Sequence, residues 1–244
     1  MSKILYANGC SHTAAAEAVV PACFAQDDGK HGIDRRPHPT NLAASWCSHV
    51  ARGIGHALIC RAESASSNTR IMRTTREWIT NNPEVSRDTL FIIQWTTWER
   101  EEWLHRGTYY QLTASGTDWL PDELKQDYKK YIASIDWAVK TQRAHDTIWD
   151  FHCELKAKNL NHVFFSGHST FSDIYNRQDW GHHYIDPYSR ESSYHNWLIS
   201  NGGQYANPKS YHFDAASHRL WANFMLQYLD RNQILGPGYE ISFD

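Results

Sequence analysis

The 244-residue sequence predicts a three-layer α/β/α sandwich built on a mostly parallel sheet. Three observations predict it. Short apolar runs of strand length recur within residues 3–7, 56–60, 88–95 and 161–166. Segments with apolar residues at three-and-four spacing separate them, giving the β-α-β order of a layered parallel sheet. The run Leu90-Phe91-Ile92-Ile93 is continuously apolar, as in a central strand covered on both faces. Those four stretches are the expected core strands, in one domain spanning residues 1–244 with insertions at about 14–40, 103–121 and 168–211.

The first strand runs into Asn8-Gly9-Cys10-Ser11-His12-Thr13. A tight turn at the carboxyl end of a strand is where open α/β sheets bind ligands, so Ser11 is the candidate nucleophile. The competing reading has Ser11 or Thr13 capping a helix that follows directly. Residues 14–40 turn polar and read as a loop, over the site or simply solvated. Thr40 or Asn41 is then placed to cap a helix carrying Leu42, Trp46, His49 and Val50.

After the second strand, residues 61–71 are rich in small side chains and lead into a helix through Met72, Trp78 and Ile79. Backbone amides at Ser64 or Ala65, aided by the helix amino terminus, suit an oxyanion. Asn68 can add a side-chain donor or cap the helix. At the end of the third strand Thr96 and Gln94 are further candidate donors. Residues 103–121, with Tyr109, Tyr110 and Trp119, read as an insertion, and 121–158 as two helices or a kinked one.

The fourth strand delivers Gly167 and His168 to the same edge. About 40 residues from His168 to Tyr211 lack periodicity and carry many aromatics, which suits a substrate or partner surface. The closing segment holds His212 just before a helix and His218 inside it. Asp214 between them is placed to cap the helix or to pair with His218.

Taken in order, four blocks resemble those of the SGNH hydrolases, the GDSL esterase and lipase superfamily. Gly9-Cys10-Ser11 stands where the family has Gly-Asp-Ser. Ser64 or Ala65 falls on its second-block glycine, and Gln94 to Glu101 on its Gly-x-Asn-Asp block. His212, Phe213, Ser217 and His218 match the histidine, proline, glycine and second histidine of its last block, whose aspartate falls on Lys209 or Ser210. The stretches NGCSHT, SSNTRI and QWTTWEREEW are also similar to SGNH-like proteins of tailed phages, including T4-like cyanophages.

The resemblance implies an SGNH or flavodoxin-like sandwich and a Ser–His esterase acting on a carbohydrate O-acetyl or small acyl ester. Ser11 is the implied nucleophile and His212 the implied base. Ser64, Ala65, Asn68 and Thr96 line the oxyanion, and Asp214 with His218 form the alternative register. A second class stays open: a noncatalytic phage structural or adaptor protein that binds glycans, virion proteins or host proteins.

Composition narrows the partners. A net charge of −3, from 24 basic and 27 acidic residues without a basic run, speaks against nucleic acid and anionic membrane. Five cysteines without Cys-x-x-Cys spacing, and histidines without ligand spacing, give no expectation of a disulfide framework, a metal or another cofactor. With a strand beginning by residue 4, no signal peptide is expected, and the chain is placed in the cytoplasm of an infected cell or on a virion.

Overall fold

The computed structural model describes residues 3–25, 35–114 and 120–243. Its strands in chain order are β1 (Ile4–Asn8), β2 (Ala57–Cys60), β3 (Thr89–Trp95), β4 (Glu101–His105), β5 (Thr108–Leu112), β6 (Asn161–Ser166), β7 (Tyr205–Asn207) and β8 (His212–Phe213). The main helices are α1 (Pro39–Ala43), α2 (Trp46–Gly53), α3 (Asn68–Asn81), α4 (Pro83–Ser86), α5 (Asp122–Ala133), α6 (Trp137–Ala157), α7 (Tyr194–Ser200) and α8 (Ala215–Arg231). None is long and apolar enough to cross a membrane.

Four strands make one parallel sheet in the order β2-β1-β3-β6. Alternate side chains feed two cores. Leu5, Ala7, Leu90, Ile92, Val163 and Phe165 pack under α2 and α8 through Trp46, Val50, Trp221 and Met225. Tyr6, Phe91, Ile93 and Phe164 face α3 and α6 through Ile71, Phe151 and Leu155. The three-layer α/β/α sandwich is thus the observed fold, with each core strand within one residue of its expected bounds. The chain moves from β1 outward to β2 and then back across to β3. The crevice between the carboxyl ends of β1 and β3 is therefore the topological switch point, where such sheets place their ligands.

Several local expectations are corrected. No helix follows Ser11. Residues 11–17 form successive turns, with Ala15 at φ 52° and Glu17 at φ 63°, and such left-handed residues stop a right-handed helix from starting. Helix caps fall elsewhere: His38 caps α1, Ser45 caps α2 by accepting from Ser48 N, and Ser67 rather than Asn68 caps α3 by accepting from Arg70 N. Asn41 is instead buried, and its amide holds the 19–22 backbone through Val19 N, Val20 N, Val20 O and Ala22 O.

The insertion near 103–121 contains the antiparallel hairpin β4-β5, while Trp119 lies outside the described residues. The long helical region is two helices, the second opened by Asp136, which accepts from Val139 N. Residues 168–211 carry a 3₁₀ turn at Gly181–His183, then α7 and β7.

Candidate functional site

The turn after β1 is clamped from inside the sheet. Gln94, fully buried near the end of β3, accepts from Thr13 Oγ1 at 2.6 Å and donates to Cys10 Sγ at 3.2 Å. A Cβ on Gly9 would meet Thr13 Oγ1 at 2.4 Å, and one on Gly167 would meet Gln94 Nε2 at 2.3 Å. Both positions therefore need glycine for close approach. Gln94, expected as an oxyanion donor, is used up in holding this turn. Asn8 fastens the same strand end to α3, donating to Thr74 Oγ1 at 2.9 Å and to Thr75 Oγ1 at 3.0 Å.

Ser11 is thereby fixed at the switch point, with 6% of its surface exposed. Among the described residues its Oγ has no hydrogen-bond partner, so neither the bond to His212 nor one to His218 is made. Its backbone N–H is also without an acceptor there, as are those of Ser64 and Ala65.

His212 stands on β8 and turns Nδ1 toward Glu17 Oε2 at 2.5 Å. The other Glu17 oxygen accepts from Asn207 Nδ2 at 2.9 Å, and Ser210 Oγ also donates to the carboxylate. Burial alone would raise the Glu17 carboxyl, but these donors together hold it below its ordinary value. Glu17 thus gives the His212 imidazole a carboxylate partner, which neither Lys209 nor Ser210 supplies. The sequence reading missed it because it lies 195 residues before His212. Its one local signal is a carboxylate in a segment of small residues right after the Ser11 turn.

The second-block stretch carries its own substitute for a missing glycine. Ala65 sits at φ 71°, the left-handed region that glycine adopts without strain. Asn68 and the end of β3 hold one another: Thr96 N donates to Asn68 Oδ1 at 2.8 Å, and Asn68 Nδ2 donates to Thr96 O at 3.2 Å. The Asn68 amide thus ties α3 to β3, which corrects its expected role as a free oxyanion donor. Among the described residues Thr96 Oγ1 is buried without a partner, so Thr96 remains as a side-chain donor at this edge.

A second imidazole group borders Ser11. His12 is buried, its Nε2 lies 2.7 Å from His168 Nε2, and its ring is 5.7 Å from that of His212. The His168 ring is in turn 4.7 Å from that of His195. Burial first, then the neighbouring imidazoles and Arg100, push His12 well below its ordinary value and His168 down to about 3. Both are neutral at pH 7. No family model, curated protein or solved structure matches this chain.

His218 lies one layer deeper. It is buried, with Nδ1 accepting from Trp46 N at 3.3 Å and 3.4 Å from Tyr194 Oη, and burial lowers it to about 3. Asp214 caps α8, accepting from Ser217 N at 2.8 Å and from Ser217 Oγ at 2.7 Å. The Asp214–His218 pairing of the alternative register is therefore not formed: the carboxylate is turned to the helix end.

Glu17, Cys23 and His212 place ligand atoms within 4.8 Å of one another, a set fit for a divalent cation. Metal–ligand bonds of about 2.0–2.3 Å would hold such atoms roughly 3 Å or more apart. In this structure Glu17 Oε2 and His212 Nδ1 lie 2.5 Å apart, at hydrogen-bond distance.

Proposed function

We propose that the protein is a serine hydrolase of the SGNH type acting on an ester, either a carbohydrate O-acetyl group or a small acyl ester. The observation that carries this reading is the His212–Glu17 pair, whose imidazole lies 5.7 Å from the ring of His12, the residue next to Ser11. An imidazole whose Nδ1–H is given to a carboxylate keeps Nε2 as a proton acceptor, the arrangement a serine nucleophile needs.

In this reading Ser11 Oγ attacks the ester carbonyl carbon as its proton passes to His212 Nε2. The carbonyl oxygen takes the negative charge and is met by the N–H groups of Ser11 and of Ser64 or Ala65, with Thr96 Oγ1 in support. Collapse of the tetrahedral species breaks the bond to the alcohol, which leaves with the proton from His212. Water then attacks the acyl-serine by the same steps in reverse, returning the hydroxyl to Ser11. Catalytic hydrogen bonds are often long before substrate binds, so the free Ser11 hydroxyl is compatible with this sequence.

A carbohydrate alcohol is favoured by the aromatics beside the base. Tyr211, 58% exposed, adjoins His212 and stands edge-on to Tyr205 at 5.7 Å. An exposed ring of this kind offers a flat apolar face with a polar tip to a sugar.

The unpartnered Ser11 hydroxyl favours a second reading, a noncatalytic scaffold that binds glycans or virion and host proteins. Turnover of p-nitrophenyl acetate by the purified protein, compared with Ser11→Ala, separates the two. Hydrolysis lost in Ser11→Ala supports the enzyme. Equal rates in both proteins, or none in the wild type with acetylated sugars also left intact, leave the scaffold.

A further inference from the structure

We propose that the cleft beside the carboxyl end of β3 binds a phosphoryl group. The cleft has a volume of about 220 Å³ and lies between the amino terminus of α3 and the first turns of α6. Asn68, Thr69, Arg100 and Arg143 border it, with Trp98 as an apolar wall. Trp98 is fixed there by stacking on Phe171 at 4.9 Å and 1°.

The charge balance of this cleft is the reason for the assignment. Its lining has one carboxylate, Glu101, which pairs with Lys140 and accepts from Tyr131 Oη at 2.5 Å. Arg100 and Arg143 form no ion pair with a carboxylate among the described residues. Arg100 itself is half-buried, and its Nε and Nη1 are shielded from solvent without a hydrogen-bond partner among the described residues. Guanidinium donors that are shielded from water and left unpaired are costly, so the two Arg100 nitrogens mark a place where an acceptor belongs.

Two guanidiniums suit the tetrahedral oxygens of a phosphoryl group, which can accept several parallel N–H bonds. The 14-residue helix α3 adds the positive end of its dipole, at Asn68 and Thr69, to the same wall. Neither argument uses Ser11, so the proposal stands apart from the hydrolase reading. Since Asn68 is bonded to Thr96, the cleft adjoins the Ser11 edge. A phosphorylated molecule held there would extend toward it.

Titration of inorganic phosphate into the Ser11→Ala protein tests the site without turnover, read by calorimetry and by the arginine Nε–H resonances in NMR. Saturable binding is expected, with a shift of the Arg100 Nε–H signal. Arg143→Gln should weaken it about tenfold or more, as should Arg100→Gln. Thr69→Glu gives a version that keeps the fold, because an acid in the first helical turn stabilises α3 while repelling the anion. Binding of acetate as tight as that of phosphate would replace the phosphoryl assignment with a carboxylate one. No saturation up to about 10 mM, or binding in Arg143→Gln and Thr69→Glu as tight as in the Ser11→Ala parent, would overturn it.

Discussion

Glu17 Oε2 accepts the Nδ1 proton of His212 at 2.5 Å, joining the turn after β1 to the last hairpin of the chain. The carboxylate fixes the imidazole tautomer with Nε2 free to take a proton. Glu17→Gln should keep the fold but lose that control of tautomer, because a carboxamide can present its NH₂ to Nδ1. The expected result is a fall in kcat of about a hundredfold or more with an unchanged melting temperature. Ser11→Ala and His212→Ala should each abolish hydrolysis, whereas His218→Ala should lose less activity and more stability. A rate unaffected by Glu17→Gln would remove the carboxylate from the mechanism.

Ala65 is held at φ 71°, where a Cβ costs about 1–2 kcal/mol. Glycine removes that strain but adds freedom to the unfolded chain, so Ala65→Gly should stabilise the protein by a net of about 0.5–1 kcal/mol. Urea denaturation measures this directly. Activity should be retained, since the amide is expected to keep its direction.

Acid should unfold the protein early. His162 and His218 are buried and lowered to about 3, chiefly by desolvation, and His152 to about 4. A histidine lowered in the folded state binds its proton more readily when unfolded. The neutral rings therefore cost nothing above pH 6.5, and stability is lost as pH falls from there toward 3. Near pH 5 the loss is about 2 kcal/mol for each fully desolvated ring. Melting temperatures across pH 7.5 to 4.5 should drop steadily below pH 6.5, and a flat profile would contradict the burial of these rings.

Metal should inhibit, not activate. Zinc binding to Glu17, Cys23 and His212 would replace the proton between Glu17 and His212 and occupy the base. Chelator should leave hydrolysis unchanged and added zinc should suppress it, with Cys23→Ser relieving the suppression. Loss of activity on treatment with chelator would instead make the ion part of the reaction.

The sandwich was legible because strand runs such as Leu90 to Ile93 carry their burial in their composition. The places of Ser11 after β1 and of His212 just before α8 were legible because each adjoins a regular element. Glu17 was not, because a contact across 195 residues between two turns leaves no periodic trace. Asn68 and Gln94 were read as candidate donors, Asn68 also as a helix cap, from their type and their places at or beyond the strand ends. Their hydrogen bonds go to Thr96, Thr13 and Cys10, partners that only the folded sheet brings near. Arg100 passed as one charge in a polar run, and the shielding of its Nε and Nη1 becomes visible only beside the cleft.

Gln94, with Thr13 on one side and Gly167 on the other, also bears on how the sheet finds its alignment while folding. Its neighbours in sequence, Ile93 and Trp95, point to the opposite face, against Phe151 and Phe164. A slip of β3 by one residue would exchange these faces and drive a primary amide into an apolar layer with no partner. Each unmet amide group would cost about 1–3 kcal/mol, and Thr13 would lose its acceptor as well. The three strands that deliver Ser11, Thr96 and His168 are thus selected for one alignment by a polar side chain at their meeting point, and misaligned collapsed chains are discouraged before the site exists.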